Sequence, residues 1–578
     1  MKKFFCLLLM CLFALPMLSS CTSGGKTRRE NESYALFLYM SGNDLESGSG
    51  AASRTISQIL SAPSHENVDV YVMTGGASQW KQHDIPSDEA VIYSVQEEEL
   101  SAVRRLPSAN MGDASVLKEF LALAEKTEAD RKVLLFWGHG SPYGICPDQL
   151  HGNDMLTYGE LSDALSENLF DLIVFNACYT ANLDLMTYIC RSADYAIASE
   201  EVLPSIGFDY SAMLALLNDN GGADIADIGK RIIDDTLLSY GNSTLKDSLT
   251  LSLIDLRAVA RYRADFSSVF NEWLYQTNDL LRSVAKTNSI GKIGKDLFDL
   301  AEHCGLEDDS FAKMLRDIVL YEIHGTRFDT SGLYLYFGDG VTAYDIRAYQ
   351  ENCAYSDYYT FMHNVMRLKE GQYLDFISSS YDGNGIYNAV LDELSPIYSA
   401  FFGYTLYDAE GGIIKMDGLC VSSRFNDINQ YTYLTVPEDV LFSLKMGNIE
   451  LDHVLLTVQE EEISRESRNI YAAPLLVNGE LAFLYFSYDY TYDFDDPHYF
   501  GQLDGSYSIL GYVYENDGQA YMIEELKAGD VIEYGGERLI YGNESIERTS
   551  IPEGGYIALT VEDIYGNLYN TPLYPIGA

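Results

Sequence analysis

Two residues of this sequence could together carry out nucleophilic catalysis, and each follows a short apolar run. His139 comes two residues after the run at 133–137, and Cys178 comes three residues after the run at 172–175. A thiolate is a strong nucleophile, and an imidazole can take its proton near neutral pH and later protonate a leaving group. Taken singly, His139 also fits a structural histidine in a turn, and Cys178 fits a buried, inert thiol. Their matched positions favour the catalytic interpretation.

Both apolar runs have the pattern of strands in a parallel sheet that is covered by helices. Each run is short, continuous and free of charge, which is typical of strands that are buried on both faces. Between them, Thr157 and Glu160 fit a capping box at the start of a helix. A strand–helix–strand crossover makes its two strands parallel, and such sheets bind ligands outside the carboxyl ends of their strands. We therefore expect His139 and Cys178 to meet at this edge.

Other segments predict the rest of an α/β sheet. A helix at 181–190 would place Cys178 near a helix N-terminus, where the macrodipole favours a thiolate. We expect residues 331–337 to close the sheet, and residues 257–321 to be mostly helical. The remaining predicted strands are residues 34–39, 68–73, 90–95, 195–198 and 245–256.

The sequence changes in character from about residue 371. Short runs rich in β-branched and aromatic residues recur around Gly-rich turns, as at 398–402, 454–458 and 512–514. This pattern predicts a separate β-rich domain, a sandwich or barrel, over residues 371–578. Its acidic and Tyr-rich run at 488–496 could bind a cation or a ligand, but it lacks the ligand order of an EF-hand and also fits a solvated loop.

The N-terminus has the pattern of an export signal. Lys2 and Lys3 precede an apolar stretch at 4–18, which is typical of a signal peptide and short for a membrane span. Cys21 follows Leu-Ser-Ser, a sequence that resembles a bacterial lipobox. We therefore predict a signal peptide at 1–20 and a lipidated Cys21 with a flexible tether at 21–33. Such a protein is an exported bacterial lipoprotein, anchored by its lipid to the periplasmic face or the cell surface; an ordinary signal peptide is the alternative.

Charge and cysteine content restrict the partners further. The chain has 86 acidic and 38 basic residues and a net charge of −48, which opposes binding to nucleic acid and to anionic lipid surfaces. The charge would attract cationic substrates, and it equally fits a need for solubility outside the cytoplasm. Spacing of the cysteines indicates neither a disulfide framework nor a metal site. The cysteines without an assigned role are Cys146, Cys190, Cys304, Cys353 and Cys420.

The ordered motifs of this chain resemble those of the clostripain family of cysteine peptidases. Residues 135–141 and 175–178 are similar to the family's His and Cys motifs. The resemblance spans roughly residues 34–368, and it implies a caspase-like α/β fold over residues 34–370, with a mainly parallel sheet flanked by helices. Further similar segments are residues 39–46, 74–77, 110–113, 199–201 and 331–337.

The resemblance implies a cysteine endopeptidase that acts on proteins or peptides. In that family Cys178 would be the nucleophile and His139 the general base and acid. The backbone N–H groups of Gly140 and Cys178 are the natural donors to the oxyanion. Family members need no third carboxylate and no cofactor. Calcium is used by the founding member, but no loop of this sequence demands it, and we predict no metal site.

The residue two positions before the cysteine departs from the pattern of members that cut after Arg or Lys. Those members commonly carry an acid there, whereas this chain has Asn176, and a neutral amide cannot form a charge-assisted pair with a basic substrate. Asp44, Glu200, Glu201 or Asp209 could supply the missing charge. We therefore still predict cleavage after Arg or Lys.

The alternative is a protein of a different class. A lipid-anchored surface protein could bind peptide or glycan through its β-rich domain and carry a weakly active or inactive peptidase fold. The intact His139 and Cys178 argue against this second interpretation.

Overall fold

The computed structural model of the chain describes residues 31–576, apart from short gaps. The predicted signal peptide, Cys21 and the tether up to residue 30 therefore lie outside the described residues. No helix within the described part is long and apolar enough to span a membrane. The gaps are residues 64–65, 97, 166–168, 205, 276–279, 281–282, 285–286, 292, 305–308, 338–346, 372–375, 384, 393–398, 419–420, 427–430, 439–440, 462–465, 492–504, 515–522, 552–553 and 564–566.

The described chain is α/β up to residue 371 and almost entirely β beyond it. The α-helices are α1 Asn43–Ser47, α2 Ala51–Leu60, α3 Ala114–Ala124, α4 Tyr158–Ala164, α5 Leu183–Ile189, α6 Tyr210–Asn218, α7 Ile225–Ser239, α8 Leu256–Trp273, α9 Leu297–His303, α10 Asp309–Ile318 and α11 Ser356–Gly371. The first strands are β1 Tyr34–Ser41, β2 Val68–Gly75, β3 Glu89–Gln96, β4 Glu99–Pro107, β5 Arg131–Trp137, β6 Gly140–Ser141, β7 Gly144–Asp148, β8 Asp154–Leu156, β9 Phe170–Asn176, β10 Ala193–Ala198, β11 Thr250–Asp255, β12 Ser289–Ile290, β13 Gly294–Asp296, β14 Val319–His324 and β15 Tyr334–Tyr336. Short 3-10 helices are Gln149–His151 and Thr244–Ser248.

A nine-stranded sheet organises the first part of the chain, in the order β14-β11-β10-β9-β5-β1-β2-β3-β4. Its central strands β10, β9, β5, β1 and β2 are parallel. Successive side chains of β5 enter opposite cores: Leu134 and Phe136 pack on one face, and Val133 and Leu135 on the other. Burial on both faces explains why this strand is continuously apolar. The predicted mainly parallel sheet flanked by helices is confirmed.

The crossover between β5 and β9 contains the predicted capping box. Thr157 accepts a hydrogen bond from the Glu160 N–H, and the Glu160 side chain accepts one from the Thr157 N–H. Helix α5 is shorter than the predicted helix at 181–190, because Asn182 caps its N-terminus. The helix therefore begins five residues after Cys178 rather than beside it.

The prediction that residues 331–337 close the main sheet is wrong. Strand β14 pairs with β11 and takes that edge, so that a strand that begins at the end of the segment predicted as mostly helical completes the sheet. Strand β15 joins β12 and β13 in a small separate sheet. It lies across the loop after the cysteine, since Tyr334 N–H donates to the Ala181 carbonyl and the Tyr334 hydroxyl donates to the Tyr179 carbonyl.

The C-terminal part is β-rich, as the sequence predicts. Its largest sheet follows the path β27-β26-β25-β24-β19-β18-β31-β32. Part of the acidic run at 488–496 lies outside the described residues, and its Asp489 pairs with Arg468. The strands are β16 Phe376–Tyr381, β17 Ile386–Asp392, β18 Ser399–Tyr407, β19 Ile413–Asp417, β20 Ser422–Asn426, β21 Tyr431–Pro437, β22 Ser443–Met446, β23 Ile449–Glu450, β24 His453–Glu461, β25 Glu466–Val477, β26 Glu480–Thr491, β27 Ser506–Tyr514, β28 Val531–Tyr534, β29 Glu537–Ile540, β30 Ile546–Thr549, β31 Tyr556–Asp563, β32 Leu568–Asn570 and β33 Tyr574–Pro575.

Candidate active site

Three neighbouring parallel strands end at the candidate site, and each is followed by a polar or nucleophilic side chain. Trp137 of β5 lies opposite Met40 of β1 and opposite Asn176 of β9. Asp44 follows β1, His139 follows β5 and Cys178 follows β9. Because the strands are parallel and in register, these residues leave the sheet at its carboxyl edge, where ligands bind in such folds.

The chain at Gly140 approaches the chain at Cys178 closely. A Cβ atom on Gly140 would lie 2.3 Å from the Cys178 carbonyl oxygen, so that only glycine fits without moving the backbone. This contact holds the segment after His139 against the segment that carries the cysteine. The two predicted oxyanion donors, the N–H groups of Gly140 and Cys178, thus belong to adjacent segments.

The carboxylate of Asp44 contacts the imidazole of His139. Their Oδ1 and Nε2 atoms lie 2.6 Å apart, and the His139 side chain is only 2% exposed. A carboxylate on one ring nitrogen fixes the tautomer and the orientation of an imidazole. The sequence placed Asp44 among the residues for substrate binding and did not predict this contact. The position of Asp44 just after β1, the strand beside β5, is the sequence feature that could have indicated this contact.

Cys178 is fully buried in this conformation. Burial raises the pKa of its thiol to about 12, and the negative charge of Glu201 acts in the same direction. Leu203 N–H donates to Cys178 Sγ over 3.3 Å and partly offsets both effects. Desolvation thus outweighs any helix-dipole effect, and the thiol is protonated here. The next residue, Tyr179, has a φ of 53°, a strained conformation for a bulky side chain that recurs at functional sites.

The two predicted glutamates lie in different surroundings. Glu200 Oε2 accepts a hydrogen bond from Gly332 N–H over 2.6 Å, and burial raises the pKa of Glu200 well above its usual value. Glu201 Oε1 accepts from Gly291 N–H over 2.9 Å, and burial raises the pKa of Glu201 to about 8. Of these two acids, Glu201 acts electrostatically on Cys178. Glu201 thus lies close enough to Cys178 to raise the pKa of its thiol, whereas Glu200 contacts Gly332.

Asn176 contacts the segment that precedes helix α6, and Asp209 is the last residue of that segment. Asn176 Oδ1 accepts from Phe208 N–H over 3.3 Å, and the Asn176 side chain is buried. Gly207 has a φ of 64°, and a Cβ there would lie 2.6 Å from Asn176 Oδ1. Asp209 caps α6 by accepting from Ala212 N–H over 2.9 Å. Asp209 thus has a structural contact, whereas Asn176 lies at the strand end beside the cysteine.

The family can now be assigned from comparison with known proteins. The sequence model of the clostripain family matches residues 38–379, which is more than half of the 578 residues. The chain belongs to the clostripain family. Members of this family are cysteine peptidases, and the chain is accordingly a hydrolase of that kind. The resemblance read from the motifs of the sequence is confirmed.

Solved structures similar to this clostripain-family chain are also cysteine proteases. A secreted C11 cysteine protease from Bacteroides thetaiotaomicron, in complex with an irreversible peptide inhibitor, is 15% identical; the match covers 57% of this chain and 99% of that one, with a TM-score of 0.44. An inactive zymogen C11 protease from Parabacteroides distasonis is 18% identical, with coverage of 53% and 92% and a TM-score of 0.42. None of the curated proteins matches this chain.

Among the described residues, no group of three or more His, Cys, Asp or Glu side chains could hold an ion. Cysteine peptidase chemistry itself needs no cofactor, because the thiol supplies the nucleophile and the imidazole moves the proton.

Proposed function

We propose that this chain is a cysteine endopeptidase in which Cys178 and His139 form the catalytic dyad. The observation that carries the proposal is the order of the three strand ends: acid, imidazole and thiol follow β1, β5 and β9 at one edge of the sheet. This order supports an arrangement in which Asp44 orients His139 and His139 takes the proton of the Cys178 thiol. Asp44 is thus proposed as a positioning residue, in addition to the dyad that the sequence predicts.

The reaction follows from the protonation states of these groups. With Nε2 of His139 donating to Asp44, the imidazole takes the thiol proton at Nδ1 as Cys178 Sγ bonds to the scissile carbonyl carbon. The oxyanion is stabilised by the N–H groups of Gly140 and Cys178. The imidazolium then protonates the leaving amine. A water molecule, deprotonated by His139, hydrolyses the thioester and restores the thiol.

Replacing Asp44 by Asn is expected to lower kcat by about tenfold to a hundredfold and to leave KM nearly unchanged, because an amide carries no charge to stabilise the imidazolium. Asp44→Glu should recover part of the rate, since it restores a carboxylate. Steady-state kinetics on one peptide substrate measures both constants. Asp163→Asn, at an exposed position of α4, is the matched control. An unchanged kcat in Asp44→Asn would remove the positioning role and leave the dyad intact.

We further propose that the enzyme cuts after Arg or Lys and that Glu201 contributes the negative charge. Among the nominated acids, Asp44 contacts His139, whereas Glu201 acts on the thiol. A basic side chain beside Glu201 would favour its ionised form and form a charge-assisted pair with it. Asn176, two residues before the cysteine, would remain a neutral neighbour.

Replacing Asn176 by Asp is expected to raise kcat/KM for Arg and Lys substrates by about tenfold to a hundredfold, because a buried hydrogen-bonded ion pair is worth roughly 1.5–3 kcal/mol. Glu201→Gln should have the opposite effect on the same substrates. The measurement compares matched substrates with Arg, Lys, Gln, Asn or Ala before the scissile bond. A wild-type preference for a neutral residue, unaffected by either substitution, would overturn the proposed specificity.

We also propose that residues 34–370 and 371–578 are separate domains.

We further propose that the chain is exported and lipidated on Cys21. Support for lipidation comes from the lipobox-like sequence that follows the apolar stretch. Replacing Cys21 by Ser is expected to move the protein from the detergent phase to the aqueous phase in phase separation, or to block its processing. Cys11→Ser, within the predicted signal, is the control. Unchanged partitioning of Cys21→Ser would contradict lipid anchoring.

A further inference from the structure

The edge of the main sheet that carries Cys178 also contacts the C-terminal sheets. Strand β11 runs antiparallel to β10, with Ser252 opposite Ala198, and β14 runs antiparallel to β11, with His324 opposite Thr250. The start of β11 and the end of β14 therefore lie at the carboxyl edge of the parallel strands. Contacts made just before β11 or just after β14 are contacts at the catalytic edge.

Arg327, just after β14, binds the backbone of strand β27. It donates to the carbonyl of Leu510 over 2.7 Å and to that of Ile509 over 3.0 Å, and also to Ser248 Oγ over 3.0 Å. Arg327 is only 5% exposed, and burial lowers the pKa of its guanidinium to about 10. A buried charge is costly unless hydrogen bonds satisfy it. Arg327 needs the carbonyls of β27 for this purpose, and its hydrogen bonds therefore hold β27 at this position.

A second polar contact lies beside Arg327. The Glu525 carboxylate accepts hydrogen bonds from Ser243 Oγ and from Thr244 Oγ1, each over 3.2 Å. Both hydroxyl residues precede β11, so this contact also lies at the catalytic edge. Together with Arg327, it clamps the C-terminal sheet to two successive loops of the peptidase sheet.

Apolar side chains of the C-terminal sheets enter the core that contains Cys178. Val513 and Ile523 are buried in that core, and Tyr485 packs against it. All other members of this core come from residues 34–334, so these side chains pack against the peptidase sheet. Burial, followed by the charge of Glu201, raises the pKa of Tyr485 to about 12, which places Tyr485 near that acid.

We propose that the C-terminal β sheets cover the catalytic edge and keep Cys178 out of reach, so that a substrate enters only after this contact opens. The contact is the interface between Tyr485, Val513 and Ile523 and the Cys178 core, fastened by Arg327 and Glu525. Cys178 is 0% exposed in this closed arrangement. The inference goes beyond peptide hydrolysis, since it assigns an inhibitory role to the C-terminal sheets.

The composition of the interface is compatible with reversible opening. A cavity of about 440 Å³ lies between the two parts, and its lining includes the charged residues Asp247, Arg327, Arg468 and Glu525. Interfaces between parts of one chain resemble transient protein–protein interfaces, and polar ones permit relative motion of the parts. Water can hydrate these charges when the parts separate, which lowers the cost of opening.

The test is the rate at which iodoacetamide alkylates Cys178 in the folded full-length chain, measured by mass spectrometry of the peptides. Cys146, which is fully buried and packs on the other face of the sheet, is the internal reference for general unfolding. We expect Tyr485→Ala and Arg327→Ala each to raise the ratio of the Cys178 rate to the Cys146 rate by about tenfold or more, because each removes contacts between the C-terminal sheets and the peptidase sheet. Tyr485→Phe should raise the ratio less, since it keeps the ring.

The matched control is Leu568→Ala. Leu568 is 50% exposed and lies on β32, at the opposite end of the sheet order from β27, so its ratio should equal that of the wild type. An unchanged ratio in both Tyr485→Ala and Arg327→Ala would overturn the proposal, and so would an equal rise in Leu568→Ala. Alkylation does not require peptide hydrolysis, and the result is therefore independent of the proposed peptidase activity.

Discussion

Replacing Cys178 by Ala is expected to reduce kcat/KM for peptide hydrolysis by about ten-thousandfold or more, because removal of the nucleophile from a catalytic unit costs far more than the loss of a single contact. The fold should survive, since the side chain loses only its sulfur atom. The assay is hydrolysis of a fluorogenic peptide, run in the wild-type background and in Tyr485→Ala, in which the closed contact is weakened.

The control for this substitution is another buried cysteine of the same part of the chain. Cys190 is 7% exposed and follows helix α5, so Cys190→Ala should keep its activity within about twofold, as substitutions outside a catalytic unit usually do. Thermal unfolding followed by circular dichroism checks that both variants fold. Residual activity of Cys178→Ala within about tenfold of the wild type would contradict the assignment of the nucleophile.

Replacing His139 by Ala is expected to lower kcat by about a thousandfold or more, because the thiol then lacks the base that activates it and the acid that protonates the leaving amine. The double variant of His139 and Cys178 should be no slower than Cys178→Ala alone, since members of one catalytic unit are not additive. His303→Ala, at a partly exposed position of α9, is the control. Additive losses in the double variant would show that the two side chains act separately.

Local patterns predicted the scaffold of the site well. The apolar runs before His139 and Cys178 became strands β5 and β9, and Thr157 with Glu160 formed the expected capping box. Both signals depend only on residues close in sequence, since burial on two faces demands a continuous apolar run and a cap needs a side chain three residues from its partner. The placement of the two catalytic side chains at one edge follows from strand direction alone.

Contacts between distant residues could not be predicted in the same way. Asp44 and His139 are 95 residues apart, and Arg327 and Leu510 are 183 residues apart; no local period relates such positions. Residues 331–337 were assigned to the main sheet because their composition fits a strand, but composition does not select a partner strand. Strand β14 pairs with β11 in an antiparallel ladder and therefore occupies that edge of the sheet.

The protonation state of the Cys178 thiol could not be predicted from local sequence patterns either. Proximity to a helix N-terminus predicted a thiolate, but Cys178 is fully buried, and burial raises the pKa of its thiol to about 12. Desolvation depends on all the neighbours in the folded chain, and the core that contains Cys178 includes Val513, a residue more than three hundred positions later.

The most direct test of the peptidase assignment is covalent labelling of the full-length chain with an irreversible peptidyl acyloxymethyl ketone that carries Lys next to the warhead. We predict one adduct, on Cys178, that forms faster in Tyr485→Ala than in the wild type and is absent from Cys178→Ala. The same warhead without the peptide should react much more slowly, because the peptide positions it at the site. Labelling of a different cysteine, or equal rates with and without the peptide, would contradict a peptidase site at Cys178 and favour a binding protein with an inactive peptidase fold.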